Sequence, residues 1–126
     1  MKKYDSYDLR NGKDGYEWAL TVAGANVLAY QSFGSYQGDW FAKVDYKGDI
    51  FWIKGSYGSC SGCDAWEAES GWEDKTKEEW RVFCTNFAQS YLNDPLTYEQ
   101  VLKDAEEDVS WDVEAKEMIK WVKKNK

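Results

Sequence analysis

The residues best suited to chemistry are three cysteines and an aspartate. Two of the cysteines and the aspartate lie in the glycine-rich stretch Gly55–Asp64. Cys60 and Cys63 form a C-x-x-C pair, and Gly62 lets the chain turn back between them. Two thiolates at this spacing can bind one ion, but a closed structural zinc site needs four ligands. Cys84 is the third cysteine, and Asp64 is the nearest carboxylate. We therefore predict a structural zinc site formed by Cys60, Cys63, Cys84 and Asp64.

Two other interpretations of these cysteines stay open. The C-x-x-C pair has the spacing of a redox dithiol, but no basic residue stands beside it to lower a thiol pKa. Alternatively, residues 55–64 form a tight glycine loop with two ordinary cysteines. Cys84 would then fill the core, where free cysteine is common.

The chain contains no histidine, which excludes most enzyme templates. Ser-His and Cys-His nucleophile pairs and the commonest metal ligand are missing. We therefore expect a protein that is not an enzyme. The glycine loops Gly34–Gly38 and Gly55–Gly62 can offer N–H groups to an anion. Neither matches a phosphate-binding pattern, so we interpret both as turns between strands.

The charge of the chain points to a basic partner. The net charge is −7, and all of it arises in residues 59–126, where sixteen acidic residues face nine basic ones. This balance argues against binding nucleic acid, which requires a basic face. Acidic runs are usually solvated helix faces, but they also give fast, salt-sensitive association with basic proteins.

Aromatic residues within these runs are candidate anchors for an interface. Trp66, Trp72, Tyr36 and Trp111 lie in predicted loops or beside acids, where tryptophan and tyrosine often act as exposed binding residues. The predicted partner-binding residues are Glu67, Glu69, Trp72, Glu73, Asp74, Glu106, Glu107, Asp108 and Trp111.

The first half of the chain carries strand signals. Asp14 and Glu17 form a capping-box pattern before a helix over about 15–23, with a strand through the same residues as the competing interpretation. Residues 1–13 are polar and predict a loose arm or a short strand. Residues 27–33 predict a strand.

A β-hairpin is predicted over about 39–46 and 49–55. Apolar and polar residues alternate through the first strand, and Lys47-Gly48 provides a two-residue turn. This turn places Val44 opposite Phe51 and Lys43 opposite Trp52, so that one face is apolar and the other is mixed.

The second half predicts helices. Trp80, Phe83, Cys84, Phe87 and Tyr91 form an amphipathic stripe that ends near Asn93, before the only proline. Thr97 with Gln100 opens a short helix, and a last helix covers about 112–124. The predicted fold is α+β in a single domain, 1–126. A short N-terminal helix precedes an antiparallel sheet of about three strands (26–56), and later helices cover one face of that sheet.

The location of the protein is inferred from what the sequence lacks. No run of about 18 apolar residues would span a membrane. The first residues lack the apolar region of a secretory signal, and three cysteines without a signal suggest a reduced, intracellular protein.

The stretches Gly34-Ser35-Tyr36-Gln37-Gly38-Asp39 and Gly55-Ser56-Tyr57-Gly58-Ser59-Cys60-Ser61-Gly62-Cys63-Asp64 resemble small proteins of bacteriophages and mobile elements. Some small, acidic phage proteins are anti-CRISPR proteins. The resemblance implies an inhibitor in the bacterial cytoplasm that binds a type II RNA-guided nuclease and hinders DNA loading. Acidic helices at 64–79 and 104–117 would enter the basic channel of that nuclease.

Three rival functions remain. The chain would bind a nucleotide immune signal in its glycine loops, act as a metal-dependent hydrolase, or serve as a structural or regulatory phage protein.

Overall fold

A computed structural model describes residues 2–34, 38–57, 65–70, 73–107 and 113–126. The elements in chain order are α1 (Ser6–Arg10), α2 (Gly15–Val22), β1 (Asn26–Gly34), β2 (Gly38–Tyr46), β3 (Asp49–Tyr57), α3 (Ala65–Ser70), α4 (Lys77–Leu92), α5 (Tyr98–Glu107) and α6 (Val113–Lys124). The three strands form one antiparallel sheet in the order β1-β2-β3. The predicted α+β class is confirmed, with the short helix α2 before the sheet and α3 to α6 after it.

The β2–β3 hairpin has the predicted register. Val44 pairs with Phe51 and Lys43 pairs with Trp52. The turn residues Lys47 and Gly48 have φ values of 53° and 87°. Two positive φ values are the signature of a type I′ turn, whose twist matches that of the flanking strands.

Side-chain caps begin three of the helices, and those at Asp14 and Thr97 were predicted. The Asp14 side chain accepts a hydrogen bond from the Tyr16 N–H at 2.8 Å and starts α2. Thr76 and Glu79 form a reciprocal capping box at the start of α4, with distances of 3.0 and 3.2 Å. The same arrangement joins Thr97 and Gln100 at the start of α5. These short-range hydrogen bonds fix where the helices begin.

Helices cover both faces of the sheet, so the prediction of one covered face was wrong. Trp40 and Val44 face α2 and α4 in a first core. Phe41 and Trp52 point the other way and pack with Val101 of α5 and Val122 of α6 in a second core. The mixed face is covered because its two large rings need burial and its charge finds a partner: Lys54 pairs with Asp104 at 2.8 Å.

The N-terminal segment is helical and docked, which corrects the prediction of a loose arm or strand. The Asp5 carboxylate accepts a hydrogen bond from the Tyr7 N–H at 3.0 Å and caps α1. Tyr4 and Lys75 exchange backbone hydrogen bonds of 2.8 and 3.1 Å. The Trp80 Nε1 donates to the Tyr4 carbonyl at 2.8 Å. Contacts distant in sequence therefore hold this segment on the start of α4.

Among the described residues, none of the helices combines the length and the apolar character required to cross a membrane.

Candidate functional site

The predicted zinc ligands fall largely outside the described residues. Cys60, Cys63 and Asp64 lie in the undescribed range 58–64. Cys84 is fully buried in the first core, on α4. Burial raises the pKa of its thiol to about 12, against the opposing effect of the Arg10 charge. Within the ranges that the structure covers, no three metal-binding side chains lie together. The zinc site therefore stays a prediction.

The chain leaves the cysteine stretch beside the helix that carries Cys84. Trp66 on α3 is two residues after Asp64, and its ring lies 5.3 Å from the rings of both Phe83 and Phe87. Trp66 is only 7% exposed, so the prediction that it is an exposed anchor was wrong. Its ring is buried because three aromatic residues of one α4 face surround it.

A first acidic surface, defined here as Glu69, Glu73 and Asp74, runs from α3 towards α4. All three side chains are exposed, and none forms an ion pair with another described residue. The next two acids are occupied, because Glu78 pairs with Arg81 and Glu79 caps α4. Glu67 lies in α3 without a described side chain, and Trp72 lies outside the described residues.

A second acidic surface lies at the end of α5 and consists of Glu106 and Glu107. Both are exposed, and Glu107 is 3.9 Å from Lys103. Asp108 and Trp111 are outside the described residues. The helix α5 packs in the second core, whereas α3 and α4 contribute to the first. The described acids of the two predicted regions thus lie on helices that pack on opposite faces of the sheet.

The structure also forms a cleft that the sequence interpretation missed. Its volume is about 560 Å³, within the range of small-ligand sites, and it lies between α1, the start of α2, α3 and the start of α4. Its buried lining consists of Ser6, Arg10, Gly15, Tyr16, Trp66, Ser70 and Trp80. Its exposed lining consists of Asp5, Tyr7, Gly12, Lys13, Asp14, Glu73 and Asp74. The cleft therefore has an aromatic interior and an acidic mouth that it shares with the first acidic surface.

Close contact between α2 and α3 shapes the inner wall of the cleft. The Trp66 ring stacks on Trp80, with centroids 6.3 Å apart and planes at 16°. It also lies so near Gly15 that a Cβ there would be 2.6 Å from Cε2 of Trp66. The Tyr16 hydroxyl accepts a hydrogen bond from the Trp66 N–H at 3.4 Å. Glycine at position 15 is what allows the indole to lie on the helix.

Arg10 is the unusual group of the cleft. It is 9% exposed, and the ring of Tyr7 covers one side of its guanidinium at 4.0 Å. Its Nε has no hydrogen-bond partner, and it forms no ion pair with any described residue. A buried cation without an anion is unfavourable. Sequence interpretation missed Arg10 because a polar segment of thirteen residues predicted no packed helix.

Comparison of this chain with protein-family models, with curated proteins and with solved structures finds no match.

Proposed function

We propose that this protein is a non-enzymatic inhibitor that binds a basic protein surface through its first acidic surface. The observation that carries the proposal is the exposure of Glu69, Glu73 and Asp74 without an ion pair to any described residue. The negative charge of an exposed carboxylate without an ion pair is not neutralised within the chain, so it can attract a basic partner. Complementary charge of this kind speeds association.

The basic surface that fits best is the nucleic-acid channel of a type II RNA-guided nuclease. Such a channel holds a heteroduplex by its backbone and is therefore strongly positive. Carboxylates that occupy it compete with phosphates for the same lysine and arginine side chains. The protein would be a bacteriophage-encoded anti-CRISPR protein that acts in the bacterial cytoplasm and hinders loading of target DNA. The net charge of −7 supports this role, because an acidic chain carries the same sign of charge as the DNA whose place in the channel it takes.

The division of the acids between two layers restricts the binding mode. One channel wall can engage the first acidic surface, while Glu106 and Glu107 lie in the other helical layer. We assign the main contact to the first surface, because Glu107 already has Lys103 nearby and Asp104 is paired with Lys54. Glu67, Trp72, Asp108 and Trp111 remain predicted contacts of the same interaction.

The test is a pull-down with several type II effector–guide complexes, followed by a DNA cleavage assay. The wild-type chain should be retained by at least one complex and should inhibit cleavage. The variant Glu69→Gln/Glu73→Gln/Asp74→Asn should lose about tenfold or more in affinity, as expected for several charge contacts. Its control, Asp49→Asn/Glu99→Gln/Glu117→Gln, removes the same charge from exposed positions elsewhere and should inhibit like the wild type. Absence of binding and inhibition with every effector would refute the proposal.

A structural zinc ion is part of the proposal. The thiols of Cys60, Cys63 and Cys84 are donors that zinc takes, and Trp66 lies beside the helix that carries Cys84. When bound, zinc would join the end of β3 to α4 and contribute to folding. Elemental analysis of purified protein should find about one zinc per chain, and Cys60→Ser and Cys84→Ser should both release it. Metal-free, fully folded protein would contradict this assignment.

Binding of a small ligand is a second candidate function, and the cleft at Arg10 favours it. The described lining of the cleft includes none of the described glycines of the loops that were first considered for a ligand, Gly34, Gly38 and Gly55.

A further inference from the structure

The inner part of the cleft carries one positive charge that needs an anion. Arg10 lines the cavity, is nine-tenths buried, and has no ion pair with a carboxylate in the described ranges. Its Nε also has no hydrogen-bond partner there. A guanidinium binds a carboxylate through charge-assisted hydrogen bonds, and low solvent access strengthens them. The deepest group of a ligand is therefore expected to be an anion.

The middle of the cleft is aromatic. Tyr16, Trp66 and Trp80 are between 3% and 7% exposed and form its floor. Flat rings of this kind pack against an aliphatic chain as well as against another ring. A ligand thus requires an apolar portion next to its anionic group.

The mouth of the cleft has the opposite charge to its interior. Asp5, Asp14, Glu73 and Asp74 outnumber Lys13 there, and all five side chains are exposed. Asp5 and Asp14 each use an oxygen to cap a helix, at 3.0 and 2.8 Å. Glu73 and Asp74 have no such hydrogen bond or ion pair with the described part of the chain. The outer end of a ligand is therefore expected to be cationic.

We propose that this cleft binds an α-carboxylate whose own side chain is basic, namely a free or C-terminal arginine or lysine residue. The carboxylate pairs with Arg10, the aliphatic stem packs along the apolar lining of the cleft, and the cationic end reaches Glu73 and Asp74. This assignment goes beyond the nuclease proposal and does not depend on it.

The same charges argue against a nucleotide. A nucleotide has a ring for the aromatic floor, but its phosphates would meet four carboxylates at the mouth. Like charges at short range oppose binding in an interface. A nucleotide also has no cation for Glu73 and Asp74.

The test is isothermal titration of the wild-type chain with matched probes at low salt. N-acetyl-L-arginine should bind about tenfold or more tightly than N-acetyl-L-arginine amide, which lacks the carboxylate. It should also bind more tightly than N-acetyl-L-norleucine, which lacks the cation. L-arginine and acetyl-Gly-Gly-Arg with a free carboxylate then distinguish the free amino acid from a polypeptide C-terminus.

Variants place the binding in the cleft. Arg10→Gln should abolish the preference for acid over amide, whereas Lys13→Gln, an exposed neighbour of the same charge, should keep it. Glu73→Gln/Asp74→Asn should abolish the preference for arginine over norleucine. If Arg10→Gln does not fold, the probe comparison on the wild type still decides.

Three results would overturn the assignment. They are equal binding of acid and amide, no binding of any probe at millimolar concentration, and displacement of bound N-acetyl-L-arginine by a cyclic dinucleotide. Nuclease inhibition measured in parallel separates this outcome from the failure of the proposed function.

Discussion

Trp66 lies directly on the backbone of Gly15, so that a Cβ at position 15 would be 2.6 Å from Cε2 of the indole. The two residues are 51 positions apart in the sequence. Their contact joins α3 to the first turn of α2 and forms the inner wall of the cleft. The absence of a side chain at Gly15 therefore allows α3, which follows the cysteine stretch, to pack on α2.

Gly15→Ala should destabilise the protein by about 1–3 kcal/mol, the usual cost of overpacking a core. The clash is with a large ring that is held by Trp80, Phe83 and Phe87, so it has little room to shift. Chemical denaturation of both proteins measures the difference in the free energy of unfolding.

The control for Gly15→Ala is the same change in a Trp66→Ala background. With the indole removed, alanine should be neutral or stabilising by up to about 1 kcal/mol, because it is the better helix former. An equal loss in both backgrounds would show that Trp66 does not lie on Gly15.

Two substitutions in the type I′ turn should change the stability of the hairpin in opposite directions. Lys47→Asn should stabilise the hairpin by a few tenths of a kcal/mol, because asparagine tolerates the φ of 53° better than lysine. Gly48→Ala should destabilise it by about 1 kcal/mol, since its φ is 87°.

Lys47→Ala is the control for this turn, because the Lys47 Nζ also lies 5.2 Å from the Tyr46 ring. It removes that contact without supplying asparagine. Thermal unfolding followed by circular dichroism should rank Asn above Lys and Lys above Ala. The reverse order would argue against a type I′ turn.

The capping box of α4 should make stability depend on pH. The hydrogen bond from the Thr76 N–H lowers the pKa of Glu79 from its ordinary value of 4.5. A lowered pKa in the folded state adds stability above pH 4.5 and loses it as the pH falls through the folded-state value. The advantage of wild type over Glu79→Gln should therefore shrink below pH 4.5.

Thr76→Ala removes the other half of the capping box. It should cost about 0.5–2 kcal/mol at neutral pH, because it leaves the Glu79 N–H without its cap. Urea unfolding at several pH values measures both variants. A difference between wild type and Glu79→Gln that did not change with pH would contradict the assigned hydrogen bond.

Local patterns predicted the hairpin and the helix caps because both depend on residues close in sequence. The turn residues Lys47 and Gly48, and the capping residues Thr97 and Gln100, are each only a few positions apart in the sequence. The docked N-terminal segment was missed because its contacts, such as the hydrogen bond from Trp80 to Tyr4, are distant in sequence.

The second covered face and the cleft were missed for the same reason. Phe41 and Trp52 lie opposite Lys54 and Lys43 in the hairpin, and a face with such charges is typical of a solvated surface until α5 and α6 pack on it. Trp66 stands among acids, which suggested exposure, but three aromatic residues of α4 bury it. No pattern in the sequence places Arg10 beside these rings.

When no zinc is bound, Cys84 should be chemically inert in the folded protein. It is fully buried, and burial holds its pKa near 12, so the reactive thiolate is scarce at neutral pH. In the Cys60→Ser/Cys63→Ser variant, labelling by a disulfide reagent should be slow in buffer and fast in denaturant. Fast labelling in buffer would show that Cys84 reaches the surface.

The central claim is that the first acidic surface occupies the DNA channel of an RNA-guided nuclease. The most direct measurement is the association rate of the chain with an effector–guide complex, with and without prebound target DNA, across a range of salt concentrations. We expect fast association that slows as the salt concentration rises, is blocked by prebound DNA, and is lost in Glu69→Gln/Glu73→Gln/Asp74→Asn. An association rate that stays the same at every salt concentration, with prebound DNA and in the triple variant would contradict binding of the first acidic surface in the DNA channel.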